Sequence, residues 1–112
     1  AGAKVIGVDV DQSPESETVI TSAMKQLSVS VYDGVKAFYD GSFPGGSTTV
    51  FTAANNGVGL PMETSKFEAF AQADYDALYA KLSAGEIEIQ NGTDDSTTAD
   101  LTLAKTTVNF VE

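Results

Sequence analysis

Two aspartates and one lysine carry most of the chemistry this sequence offers. Asp9 and Asp11 close the run Gly7-Val8-Asp9-Val10-Asp11-Gln12, and Lys25 closes Val19-Ile20-Thr21-Ser22-Ala23-Met24. A carboxylate at a strand exit can accept two hydrogen bonds from vicinal hydroxyls, which is how a ribose is commonly held. An ammonium at a second exit can donate to a sugar or base acceptor and balance the acids. Each residue also has a plainer reading. Acids after a strand often cap the next turn or face water, and an isolated lysine often snorkels along the surface. The pattern alone leaves both readings open.

The rest of the composition removes whole classes of function. His and Cys are both absent. A Ser-His-Asp or Cys-His nucleophile system cannot be built from this chain, nor a His- or Cys-ligated zinc site. No cofactor and no metal centre are expected. The 16 acidic and 6 basic residues give a formal net charge of -10. Such a surface repels phosphate polyanions, so nucleic acid is not an expected partner. An anionic membrane surface is disfavoured for the same reason. No apolar run reaches the roughly 20 residues of a membrane-spanning helix.

The weaker features have simple explanations. Asn91-Gly92-Thr93 has the form of a glycosylation acceptor, a triplet that arises readily by chance. Gly45-Gly46 lacks the lysine and spacing of a phosphate-cradling loop. Phe67, Phe70, Tyr75 and Tyr79 read as core packing, and Asp94-Asp95 as a solvated turn.

The 112 residues suit one domain with a modest core. Lys4–Val10 is nearly continuously apolar and β-branched, as in a parallel strand covered on both faces. Gln12–Thr18 is a polar loop and Val19–Lys25 a second strand. Helical spacing of Val31, Val35, Phe38 and Tyr39 predicts a helix from Ser28, as N-cap, to a stop at Gly41. Thr48–Thr52 and Val58–Leu60 flank Asn55-Asn56-Gly57, which predicts a β-hairpin. Thr64 or Ser65 is expected to cap a helical region that runs to Gly85 and breaks near Gln72-Ala73-Asp74. Glu86–Ile89 alternates like an edge strand, 91–100 is a polar linker, and Leu101–Val111 is a closing strand. The order of elements is α/β with a mostly parallel sheet flanked by helices. Because the first residues already belong to a core strand, 1–112 is expected to be one partial domain of a larger protein.

Val5-Ile6-Gly7-Val8-Asp9-Val10-Asp11-Gln12 followed by Val19–Lys25 resembles the basic membrane protein lipoproteins, also called purine nucleoside receptor A-like proteins. The similarity continues through Val31-Tyr32-Asp33, Gly41-Ser42-Phe43, Asn56–Leu60, Leu82–Ile87 and Thr107-Val108-Asn109-Phe110. These proteins are the substrate-binding components of ABC transporters. The resemblance implies a type I periplasmic-binding-protein-like fold, of which this chain supplies most of the C-terminal lobe. It implies a purine nucleoside, or a related ribose-containing compound, as ligand and a transporter permease as partner. It also implies an extracytoplasmic, membrane-anchored lipoprotein whose signal lies outside this sequence. On the family motif, Asp9 binds the ribose hydroxyls and Lys25 reaches the ligand. Asp11 orients the loop or holds Lys25. The loop Gln12–Thr18 is shorter and more acidic than the family's. Half a cleft does not desolvate a ligand, so the lobe alone is not expected to bind one.

Three other readings compete. A monosaccharide receptor of the same fold shares the strand-exit acid. A magnesium-dependent phosphotransfer receiver needs an acid at the end of a central strand, where Thr48–Thr52 is followed by Ala53-Ala54. A structural domain with a degenerate site needs none of these contacts. An isolated lobe with open sheet edges is also expected to be capable of pairing with itself.

Overall fold

The computed structural model describes residues 2–89 and Thr107. Five regular elements follow one another: β1 (Val5–Asp9), β2 (Val19–Lys25), α1 (Leu27–Tyr39), β3 (Val58–Gly59) and α2 (Gln72–Ser83). Single 3-10 turns occupy Ser13–Glu15 and Ala53–Asn55. The closing strand expected at Leu101–Val111, the linker 91–100 and the Asn91 triplet lie outside the described residues.

The α/β class stands, and the sheet is mixed, with strand order β1-β2-β3. β1 and β2 pair in parallel, from Val5 opposite Val19 to Asp9 opposite Met24. Parallel strands ordinarily need a crossover of about a dozen residues or more, and here residues 10–18 suffice. The connection stays short because it is tied down at many points. Lys66 Nζ donates to the carbonyls of Ser13 and Ser16, each at 3.1 Å, and lies 3.5 Å from Glu17 Oε2. Val5 N–H donates to Thr18 O at 2.8 Å. Among the described residues the first four positions of β2 are the best buried, with Val19, Thr21 and Ser22 all enclosed. Thr21 and Ser22 keep their hydroxyls satisfied there, Thr21 against Ser65 Oγ (2.8 Å) and Ser22 against the Gln12 N–H (3.0 Å).

β3 corrects the expected hairpin. Val58 and Gly59 pair antiparallel with Lys25 and Met24 of β2, and Thr48–Thr52 forms no strand. The physical cause is local. Asn55 Oδ1 accepts the Thr52 N–H (2.7 Å), Asn55 Nδ2 donates to Val50 O (3.0 Å), and Thr52 Oγ1 accepts the Ala54 N–H (3.2 Å). Side chains thus satisfy the backbone groups that a ladder would have used. Asn56 adopts the left-handed conformation (φ 55°), as the turn signal requires. The Gln26 N–H then donates to Gly57 O (2.9 Å) and docks the segment on the exit of β2.

Helix boundaries differ at their starts and agree at their ends. α1 begins at Leu27 with Gln26 at the cap position, so Ser28 is inside the helix. The helix expected from Thr64 begins only at Gln72. Thr64 and Ser65 do not cap it, because their hydroxyls bond Asp11 and Thr21. The start falls to Ala71, whose N–H is accepted by Asp74 Oδ2 at 2.9 Å. Phe67 and Phe70 stack edge-on at 5.2 Å ahead of the helix. Both helices end as predicted. Gly41 (φ 72°) and Gly85 (φ 73°) follow the caps, with paired bonds Gly41 N–H to Phe38 O and Ser42 N–H to Ala37 O, and Gly85 N–H to Leu82 O and Glu86 N–H to Lys81 O. This is the paired closure that a left-handed residue after a helix makes possible. Glu86–Ile89 forms no strand, since its alternation finds no ladder partner among the described residues.

Candidate functional site

β1 and β2 run parallel, so their carboxyl ends emerge side by side. This is the rim where ligands gather in open α/β sheets. Asp9 leaves β1 there and Lys25 leaves β2. Lys25 Nζ stands 2.7 Å from Asp9 Oδ1. Both side chains stay more than half exposed, at 56% for Asp9 and 65% for Lys25. The pair is therefore open to a ligand. An ionised carboxylate offers about four lone-pair sites and an ammonium three donors, so one mutual contact leaves most of both free.

Asp9 is held in an uncommon backbone state. Its φ is 73°, and the Val10 N–H donates to Val8 O at 3.0 Å. A three-residue turn centred on a residue with φ near +75° is the rare, strained form of the γ-turn. Aspartate tolerates positive φ better than most residues, but it still costs about 1–2 kcal/mol. The turn throws the Asp9 carboxylate off the line of the strand and toward the neighbouring exit.

Asp11 does different work. Its Oδ1 accepts the Ser13 N–H (2.9 Å) and its Oδ2 accepts from Thr64 Oγ1 (2.6 Å). The Thr64 hydrogen bond first, and then that of the Ser13 backbone, lower its pKa below the ordinary 3.8. Asp11 bonds its own loop and Thr64, and the partner of Lys25 is Asp9. The structure thus brings Asp9 and Lys25 together and turns Asp11 toward the segment around Thr64.

An apolar hollow of about 450 Å³ opens beside the ion pair. Asp9, Lys25, Val8, Met24, Leu60, Tyr75 and Tyr79 are among its walls. Asp11 and Thr64 line a separate hollow of about 440 Å³, which shares Met24, Leu60 and Tyr75 with the first. α2 supplies Tyr75 to the common wall and Tyr79 to the first hollow. Its Tyr75 hydroxyl accepts the Leu60 N–H (3.2 Å), and its Tyr79 hydroxyl donates to Val58 O (2.9 Å). Burial first, and the neighbouring Tyr75 second, push the Tyr79 pKa up.

Three contributors escape reading by spacing. Thr64 lies far along the chain from Asp11, and nothing local links them. Gln12 was visible only as the last residue of the motif, yet its Oε1 accepts the Val8 N–H (3.1 Å) and its N–H donates to Ser22 Oγ (3.0 Å). Gly7 gives room for this. A Cβ there would stand 2.5 Å from Gln12 Oε1 and 2.6 Å from Ser22 Oγ.

Comparison with known proteins decides the family. The sequence profile of the Bmp family, described as PnrA-like ABC transporter substrate-binding proteins, matches residues 1–93. The chain belongs to the Bmp family. It is also 32% identical over 92 residues to the "ABC transporter nucleoside-binding protein BmpA" of Lactococcus lactis subsp. cremoris (strain MG1363). That match covers 70% of this chain and 26% of the relative, so the chain spans about a quarter of the relative's length. The three-stranded mixed sheet with its helices is consistent with a periplasmic-binding-protein-like lobe of a Bmp-family protein.

Proposed function

We propose that this chain is the C-terminal lobe of a two-lobed solute receptor that captures a purine nucleoside, or a closely related ribose-containing compound, for uptake. The observation that carries the reading is the 2.7 Å Asp9–Lys25 pair at two adjacent parallel strand exits. The carboxylate of Asp9 takes the vicinal ribose hydroxyls, and Lys25 donates to a further ligand acceptor while holding Asp9 in place. The nucleoside-binding relative supports the choice of ligand. The role is capture and not catalysis: ligand enters between two lobes, the lobes close on a hinge, and the closed form docks on a permease. Such a receptor works outside the cytoplasm, tethered to the membrane as a lipoprotein. Among the described residues no helix is long and apolar enough to cross a membrane.

The test is calorimetric titration of adenosine, guanosine and free ribose into the two-lobed protein and its Asp9→Ala variant. Loss of one charge-assisted hydrogen bond costs about 1.5–3 kcal/mol, so nucleoside affinity should fall roughly 10- to 150-fold. Unchanged affinity in the variant removes Asp9 from the site. Tighter binding of ribose than of either nucleoside makes the protein a monosaccharide receptor.

A further inference from the structure

The left-handed turn at Asp9 needs something to hold it. A residue in a sparsely populated backbone state persists only where its surroundings over-determine it. On the amino side the parallel ladder fixes Asp9 opposite Met24. On the carboxyl side the chain must reverse at once, and the fastenings there come from Gln12. Its Oε1 accepts the N–H of Val8, the residue immediately before Asp9, at 3.1 Å. Its own N–H donates to Ser22 Oγ on β2 at 3.0 Å. One residue therefore ties the reversal both to the strand that carries Asp9 and to the strand that carries Lys25.

The anchorage is rigid at its far end. Ser22 is fully enclosed, and a Cβ on Gly7 would stand 2.9 Å from the Gln12 Cβ. Gln12 thus lies close over β1 in a slot that only glycine leaves open. Asp11 also ties the loop to Thr64, and Lys66 bonds Ser13, Ser16 and Glu17, but neither bonds the strand that carries Asp9.

We propose that Gln12 is a positioning residue for ligand binding: through Val8 and Ser22 it sets the left-handed turn that aims the Asp9 carboxylate at the ligand. This rests on the reading of Asp9 as the ribose-binding group. Gln12 itself need not touch the ligand.

The experiment is adenosine titration of the two-lobed protein and of its Gln12→Leu, Gln12→Glu, Asp9→Ala and Asp9→Ala/Gln12→Leu variants, with urea unfolding of each. Gln12→Leu deletes the acceptor for Val8 and should weaken binding about 3- to 12-fold, the range of one neutral hydrogen bond. Gln12→Glu keeps an acceptor oxygen and should restore affinity to within about threefold of the parent. In the Asp9→Ala background Gln12→Leu should cause no further loss, because the group it positions is gone. If Gln12→Leu does not fold, Ser22→Ala cuts the other end of the same tether and takes its place in the comparison. Two results overturn the proposal while sparing Asp9. One is parental affinity in Gln12→Leu beside weakened Asp9→Ala; the other is an equal loss from Gln12→Leu in both backgrounds. Parental affinity in Asp9→Ala removes the ribose reading and the proposal together.

Discussion

Lys25 Nζ meets Asp9 Oδ1 at 2.7 Å, across the ends of two parallel strands. Both partners are more than half exposed. Ion pairs so placed contribute about 0–1 kcal/mol to stability. The same aspartate has its φ at 73°, which costs energy. Local strain thus sits beside an ion pair too weak and open to offset it fully.

That imbalance can be measured with Asp9→Gly. The change loses a pair worth about 0–1 kcal/mol and adds about 0.5–1 kcal/mol of unfolded-state entropy. It also relieves about 1–2 kcal/mol of left-handed strain. Unfolding free energy from urea titration should fall between about 1 kcal/mol below and about 1.5 kcal/mol above the parent. A loss above about 2 kcal/mol would make Asp9 a structural staple and weaken its assignment to a ligand.

Gly7 should tolerate no side chain. An added methyl would stand 2.5 Å from Gln12 Oε1 and 2.6 Å from Ser22 Oγ. The Gln12 Cβ, at 2.9 Å, moves only with its backbone, and Ser22 is fully enclosed. Gly7→Ala should destabilise the protein by about 1–3 kcal/mol, as overpacking does. The midpoint of chemical denaturation reads this directly, and an unchanged midpoint would show that the loop over β1 is loosely held.

Acid should loosen the loop through Asp11. Its folded-state pKa lies below 3.8, first because Thr64 donates to it and then because of the Ser13 N–H. A depressed carboxylate stabilises the fold above its unfolded pKa, and the gain disappears as pH falls through the folded value. The contribution should therefore be complete above about pH 5 and fade below about pH 4. Thr64→Val removes the main cause. Melting temperatures of parent and variant should differ at neutral pH and converge as the medium is acidified below pH 4. A constant gap down to the lowest pH would mean that Thr64 acts without the Asp11 charge.

Much of this was readable from residue order. β-branched runs placed β1 and β2, because such side chains favour a pleated, covered backbone. Gly41 and Gly85 marked the helix ends, since few other residues enter the left-handed state cheaply. Asp9, Asp11 and Lys25 stood out as polar groups closing apolar strands. Hydroxyls and amides misled. Asn55 read as part of a hairpin turn and instead bonds Thr52 and Val50, dissolving the strand. Thr64 and Ser65 read as helix caps and instead bond Asp11 and Thr21 from far along the chain. Short polar side chains satisfy whichever backbone or side-chain group comes nearest, and sequence spacing does not say which that is.

What the sequence alone determined is chemical inventory: acids and a lysine at strand exits, no imidazole, no thiol, and a strongly negative balance. The missing groups and the charge follow from composition and hold in any fold, while the strand exits follow from residue order. Only the tertiary structure decided which acid faces the lysine. Parallel pairing sets the exits of β1 and β2 side by side, and the left-handed turn carries the Asp9 carboxylate to Lys25. Two residues later, contact with Thr64 turns Asp11 away from it. The two aspartates are interchangeable as letters and differ in contacts because backbone conformation and tertiary neighbours, and not side-chain type, fix where a carboxylate points.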